Sequence, residues 1–435
     1  MSAYAQHLAT LTQRLDRLLP QCGFDHLLIP AGVEKYNFLD DTHAPFKVNP
    51  HFKAWLPLTQ HPHSWISYTP GHKPVLVYFQ PDDYWHLPPS DPHGDWVAHF
   101  DIRIIREASE AAQHLPRDGR LAIVGEADAA VGHAVPNNPE RLLHAMHFHR
   151  AVKTPYELAC MRGASLLGAR GHVAAAHAFL QGASEAEIHS VYLLASDMTD
   201  RELPYANIVG LNEHAAVLHY QFQDRERPAE HRTLLVDGGA DFHGYASDIT
   251  RTWTTDEGDF QALIDAMDRV ELALVDQVRA GTDYKAIHLD AHRRIAEVLS
   301  EHALVNVGAE ACLAAGLTHT FFPHGIGHFL GLQVHDVGAL IGDEDGTRIE
   351  RPDGHRYLRL TRPLEAGMVV TIEPGLYFIP SLLKKLEQGP DAAMVNWGKV
   401  QAMLPFGGIR IEDDVVCTQG APENMTRDAF ASLEP

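Results

Sequence analysis

Four carboxylates and a histidine in the second half of the chain have the types and settings that hold metal ions. Asp237 lies in "LLVDGGA" and Asp248 in "YASDITRTW", two strand-like runs on either side of a Gly-rich turn. A hairpin there would bring the two carboxylates together. Like charges that close cannot both ionise cheaply away from water unless a cation lies between them. Glu373, in "VVTIEPGLY", is held extended by the following Pro374. In "GGIRIEDDVV", strand alternation places Arg410, Glu412 and Asp414 on one face and Ile409 and Ile411 on the other. "PHGIGHFLGLQVHD" adds His324, His328 and His335, and its glycines predict a loop or strand edge rather than a helix. An oxygen-rich set with one imidazole suits Mn²⁺, and Zn²⁺ or Co²⁺ less well. Four carboxylates exceed the needs of one ion, so two ions sharing bridging carboxylates fit better.

Each residue alone has an ordinary explanation. The chain has 30 histidines, so clusters such as "QHPHSW" carry no meaning by themselves. A strand Asp before Gly is usually a turn former, and Glu412 alone would suit a solvated strand face. The joint pattern is what points to chemistry. No H-E-x-x-H, G-x-S-x-G or G-x-x-x-x-G-K-[ST] is present. The "HGD" at His93 reads as a polar loop.

The elements that must position these residues fall into two parts. The first alternates helix and strand: a helix near residues 4–19, strands at "DHLLIPA", "SWISYTP", "PVLVYF", "RIIRE" and "LAIVGE", and a helix at "NPERLLHAMHFHR". Thr154 before Pro155 reads as an N-cap with proline in the first turn of a long helix. The predicted division is therefore 1–152, an α/β domain, and 153–435, a mixed domain carrying the candidate site. Strands are expected there at "YANIVGLN", "AVLHYQF", "TLLVDGGA" and "YASDITRTWTT", with helices near 257–280 and 284–303. "GDEDGTRIERPDGHRY" is expected to be a surface loop.

Composition narrows the function classes. Hydrophobic content of 45% and charged content of 21% are ordinary for a globular protein of 435 residues. The net charge of −22 argues against nucleic acid or an anionic membrane as partner. Four scattered cysteines without a C-x-x-C pair suggest reduced thiols and a cytoplasmic location. The N-terminus has no basic start or cleavage site of a signal peptide.

"VDGGADFHGYASDITRTW", "HGIGHFLGLQVHD", "TIEPGLYF" and "GGIRIEDDVV" resemble the metal motifs of the pita-bread metallopeptidases, which include methionine aminopeptidase, aminopeptidase P, creatinase and prolidase. The likeness runs the length of the chain. "VKTPYELACMR", "NIVGLNEHAAVLHY", "YLRLTR" and "ENMTRD" resemble the Xaa-Pro dipeptidases among them. The resemblance implies a creatinase-like N-terminal domain for dimerisation and capping, and a C-terminal pita-bread catalytic domain, in an α/β (α+β) class. It implies two divalent ions per subunit, with Mn²⁺ the first choice. Asp237 would serve one ion, Asp248 and Glu412 would bridge both, and His328 and Glu373 would complete the set.

The implied reaction is hydrolysis of Xaa-Pro dipeptides, with a trans proline at the C-terminus, by a metal-bridging hydroxide. Glu373 would move the proton and His335 would stabilise the oxyanion. His219 and His324 match pocket histidines, and Arg359 and Arg410 match arginines at the dipeptide end of the pocket. The resemblance also implies a homodimer in which Trp85 reaches the partner's site. An aminopeptidase P-like exopeptidase is the alternative, organophosphate ester hydrolysis a further activity, and a metal-free binding protein a third reading.

Overall fold

A computed structural model describes residues 2–433 of the chain. They form two compact units. One comprises residues 2–150 with 154–160 and 343–347, and the other 151–153, 161–342 and 348–433.

The first unit is built on a mixed five-stranded sheet in the order β4-β3-β2-β1-β5. Its strands are β1 (His26–Pro30), β2 (Trp65–Tyr68), β3 (Val75–Phe79), β4 (Asp101–Ile105) and β5 (Leu121–Ile123). β1 shows why the sheet is covered on both faces. Leu27 and Ile29 pack with Leu8, Leu15 and Leu19 of the helix Ala3–Cys22, while Leu28 turns the other way to meet Trp65, Val77 and Ile123. The period of two in the strand thus feeds two separate apolar layers. Trp85 is 78% exposed in this unit, beside the exposed Tyr84.

Thr154 and Glu157 form a reciprocal cap at the start of the helix Pro155–Leu180. Thr154 N–H donates to Glu157 Oε2 (2.8 Å) and Glu157 N–H to Thr154 Oγ1 (3.4 Å).

The second unit contains β6 (Ile208–Leu211), β7 (Thr233–Gly238), β8 (Asp241–Phe242), β9 (Tyr245–Ala246) and β10 (Ile249–Thr254). β11 (Val369–Ile372), β12 (Gly375–Tyr377), β13 (Gly408–Arg410), β14 (Asp413–Val416) and β15 (Glu423–Asn424) follow. Two antiparallel three-stranded sheets, β10-β7-β6 and β11-β14-β15, are joined by small pairs and bridges. Helices Asp259–Val275 and Tyr284–Glu301 lie where the periodicity predicts them and contribute Leu263, Met267, Ile287 and Ile295 to a core shared with Val370 and Ile372.

The expected strand at "AVLHYQF" does not form. The chain makes a 3₁₀ turn over Asn212–Ala216, and a further turn closes from Tyr220 N–H to Val217 C=O (3.1 Å). Tyr220 stacks on His214 at 4.4 Å, so its apolar ring packs locally instead of joining a ladder. Among the described residues no helix is long and apolar enough to cross a membrane.

Candidate metal centre

The hairpin that carries the two aspartates forms. β7 and β10 pair antiparallel with Asp237 opposite Thr250 and Gly238 opposite Ile249. Leu234 and Val236 face a core that includes Phe179 and Tyr192. Alternation puts Asp237 on the opposite face, with Leu235. The turn needs glycine at 239, since a Cβ there would lie 2.1 Å from the Ser247 carbonyl oxygen.

The other candidate ligands arrive on adjoining segments. Glu412 bridges to Thr250 through its backbone N–H (3.0 Å), and its carboxylate accepts from Thr250 Oγ1 (2.8 Å). The "HGIGH" loop runs beside β11: Thr371 N–H donates to His328 C=O (3.0 Å) and Glu373 N–H to Ile326 C=O (2.9 Å). Gly327, at φ +151°, passes so close that a Cβ would lie 2.1 Å from the Thr371 carbonyl oxygen. Only glycine lets the loop approach the strand and put His328 next to Glu373.

Asp248, His328 and Glu412 present ligand atoms within 4.8 Å of one another, and all three are buried. His328 Nδ1–H donates to the Phe329 carbonyl (2.9 Å). That leaves Nε2 aimed between Asp248 Oδ2 (3.4 Å) and Glu373 Oε1 (3.7 Å). Asp237 is held by Arg410, whose Nη2 donates to Oδ2 at 2.7 Å. Arg410 is itself buried and also donates to Tyr377 Oη (2.9 Å) and Thr250 Oγ1 (3.3 Å). Its guanidinium is therefore spent on a carboxylate of the cluster. His324 is neutral: burial, then the Arg410 charge, lowers it to about 3. Its Nδ1–H donates to Gly325 C=O (2.8 Å), and Nε2 accepts from Tyr377 Oη (2.8 Å).

Two tyrosines that sequence reasoning passed over, Tyr205 and Tyr377, complete the surroundings together with Asp414. Tyr205 Oη lies 2.8 Å from Asp237 Oδ1 and 2.5 Å from Asp248 Oδ1. Tyr377 links Arg410 to His324. Asp414 accepts from the backbone N–H of Asp248 (3.2 Å) and from Ser165 Oγ (3.2 Å). Asp413 points away, into an ion cluster with Arg251 (2.6 Å) and Arg427 (2.7 Å).

The charge balance favours bound cations. Burial, then the neighbouring carboxylates Asp248 and Glu373, raises Glu412 far above its usual range. Burial raises Asp237 even against Arg410. Asp248 is lowered, because His328 and Tyr205 outweigh its burial, and the same carboxylates raise His328 against its own desolvation. One phenolic proton on Tyr205 serves two carboxylates, so without a cation one of the pair must hold a proton of its own. The oxygen-rich donor set with one oriented imidazole fits divalent ions.

Glu373 is raised by burial to about 7 in the metal-free protein. A raised folded-state pKa favours the fold while the group is protonated. The contribution is complete below the usual 4.5 and is lost as pH rises through about 7. Chelated wild type and Glu373→Gln should therefore have similar stabilities below pH 4.5 and separate above it. Wild type should lose on the order of 3 kcal/mol relative to the variant by pH 8. Parallel melting profiles across that range would show that Glu373 ionises freely.

His335 packs edge-on against His328 with ring centroids 4.4 Å apart. It sits at the end of a loop closed by Asp336 N–H to Phe329 C=O (2.9 Å) and by a buried Lys153–Asp336 pair (3.2 Å). Desolvation, then the His328 and Arg359 charges, lowers His335 to about 4, so it is neutral near pH 7. Arg359 and His219 are both exposed, and both act electrostatically on His324 and His335. Trp85 belongs to the other unit.

Residues 2–148 match the Xaa-Pro dipeptidase N-terminal domain, and residues 159–419 match metallopeptidase family M24. The chain is 55% identical over 431 residues to an Xaa-Pro dipeptidase of Xanthomonas campestris pv. campestris strain B100, covering 99% of this chain and 98% of that protein. It is 51% identical over 431 residues to one from Stenotrophomonas maltophilia strain K279a, covering 99% and 97%. Solved structures share the fold at lower identity. Zinc-substituted aminopeptidase P from Escherichia coli in complex with product has a TM-score of 0.71 at 22% identity, covering 100% of this chain and 99% of that one. Aminopeptidase PepP from Pseudomonas aeruginosa has a TM-score of 0.72 at 22% identity, covering 98% of each. With its buried carboxylate–imidazole cluster and these matches, the chain belongs to metallopeptidase family M24, a hydrolase family, and joins an Xaa-Pro dipeptidase N-terminal domain to a pita-bread-fold domain.

Proposed function

We propose that the protein is a dinuclear-metal Xaa-Pro dipeptidase that releases a trans C-terminal proline. The observation that carries this is the buried Asp248–His328–Glu412 cluster, with Glu373 3.7 Å from His328 and Asp237 linked to Asp248 through Tyr205. Among the described residues no carboxylate pairs with Arg359.

Asp237 would serve one ion, His328 and Glu373 the other, and Asp248 and Glu412 would span both. Bound divalent ions, Mn²⁺ by preference for such oxygens, would supply an activated water and polarise the scissile carbonyl. Glu373 would accept the proton of the attacking water and return it to the proline nitrogen, which leaves poorly unless protonated. Neutral His335 can donate a hydrogen bond to the developing oxyanion. Arg359 would hold the substrate's free carboxylate through its planar fork, with His219 beside it. Arg410 keeps Asp237 oriented, and Tyr377 passes that restraint to His324.

The cytoplasm suits four scattered cysteines without a C-x-x-C pair. A homodimer, with Trp85 reaching the partner's site, is part of the same reading, as is slow hydrolysis of organophosphate esters by the same electrophilic centre. Chelation should abolish cleavage of Ala-Pro and Mn²⁺ should restore it. Equal turnover by chelated and Mn²⁺-loaded protein would sink the proposal. Xaa-Pro-Yaa tripeptides cleaved as fast as dipeptides would favour the aminopeptidase P-like alternative.

A further inference from the structure

We propose that His288, His292 and His355 form a separate site for one borderline first-row transition ion, of the Zn²⁺, Ni²⁺ or Cu²⁺ class. His288 and His292 are four residues apart on the helix Tyr284–Glu301, so their side chains leave the same face. His355 comes from the polar loop before Leu358. The three rings pack with centroids 4.7 to 4.9 Å apart. One ligand nitrogen from each lies within 4.8 Å of the others. Nitrogens around a tetrahedral ion at ~2.0–2.1 Å are ~3.4 Å from each other, so small side-chain rotations would close the set on an ion.

The surroundings suit imidazole ligation. His288 and His292 are 1% and 2% exposed. His292 Nδ1 is hydrogen-bonded to the buried Thr318 Oγ1 at 2.9 Å, which orients the ring and leaves Nε2 open. His288 Nε2 shares a proton with His355 Nδ1 at 2.8 Å. His288 Nδ1 is buried and meets no hydrogen-bonding group of the protein among the described residues. The His319 ring, exposed, lies 4.7 Å from that of His292 and 4.9 Å from that of His355, which supplies a fourth imidazole and a route from solvent. Burial keeps His288 and His292 neutral, the form that binds metal.

No carboxylate belongs to this cluster, so Mn²⁺ and Mg²⁺ find none of the oxygens they require. The chain would therefore sort its ions. Hard cations would go to the carboxylate centre and an imidazole-seeking ion to the histidines. The two sites are separate but close: Phe322 lies between them, its ring 5.1 Å from that of His292 and 4.7 Å from that of His324.

The test is titration of Mn²⁺-saturated protein with Cu²⁺, followed by electron paramagnetic resonance. Wild type should take up one Cu²⁺ per chain with nitrogen hyperfine structure from at least three imidazoles. Copper entering the carboxylate centre would instead show a single imidazole. His355→Ala changes a half-buried loop residue, and His292→Gln tests the helix. Each should lose the nitrogen couplings of one imidazole, and His355→Ala should keep its peptidase activity. A wild-type spectrum with one imidazole, or an unchanged signal in both variants, overturns the proposal. Because the readout is spectroscopic, failure here is distinct from failure of the dipeptidase reading.

Discussion

Asp248→Asn should empty both metal positions and bring turnover to background, whereas Asp237→Asn should first weaken only one. Asp248 is 5% exposed. One of its oxygens faces His328 Nε2 at 3.4 Å and the other meets Tyr205 at 2.5 Å. Its backbone N–H is fixed by Asp414. An amide there keeps the shape but loses the charge at the point where the cluster converges. It also places an NH₂ against either a phenol or an imidazole that needs an acceptor. Loss of affinity should exceed the ~10–100-fold typical of a supporting residue.

Asp237 stands at the edge, tied to Arg410 at 2.7 Å. Its asparagine variant leaves a buried guanidinium without its ion-pair partner, a change that costs about 3–5 kcal/mol in other buried pairs. The two variants therefore separate by kind. Asp248→Asn should be nearly metal-free. Asp237→Asn should retain about one ion and melt earlier. Metal analysis on gel-filtered protein, with thermal melts after chelation, checks both. Equal loss of both ions in the two variants would mean that the bridging role is misassigned.

How much of this was legible in the sequence follows from how far each constraint reaches along the chain. The hairpin at Asp237 and Asp248 is local, and alternation with a glycine turn announces it. Gly325 and Gly327 announce the loop at His328 for the same reason. Arg410 shares a strand face with Glu412, which local reasoning finds. Its partner Asp237, however, lies far away in sequence, so the sequence pattern cannot tell a guanidinium that holds a carboxylate from one that faces substrate. Tyr205 and Tyr377 carry no local signal, because a buried phenol is chosen by what the fold brings to it. Val217 to Phe222 shows the reverse error. Its alternating pattern looked like a strand, but tight turns and the Tyr220–His214 stack used the same residues locally. The histidine cluster was hidden by dilution among 30 histidines. The spacing of His288 and His292 is visible, but His355 joins them only through the folded loop.

Arg359→Ala should raise KM for Xaa-Pro dipeptides far more than it lowers kcat. Arg359 is exposed, and among the described residues no carboxylate neutralises it. Its charge is nonetheless felt at both His324 and His335. A guanidinium left unpaired that near the candidate centre can take up a negative group of the substrate, and a dipeptide has one at its C-terminus. Removing a charge-assisted pair of about 1.5–3 kcal/mol predicts a ~10–100-fold loss in kcat/KM. The folded protein should tolerate the change, since substitutions of exposed residues away from caps and buried networks cost within about 0.5 kcal/mol. Arg359→Lys should recover only part of the loss, because an ammonium cannot match both carboxylate oxygens at once. The discriminating substrate is the Xaa-Pro amide, which has the scissile bond but no terminal charge. Wild type should handle it poorly, and Arg359→Ala should handle it no worse than wild type does. If the variant instead lost the same factor on dipeptide and amide alike, Arg359 would be acting on the chemistry or on local structure, and the carboxylate would have to be read elsewhere, with His219 the next residue to replace.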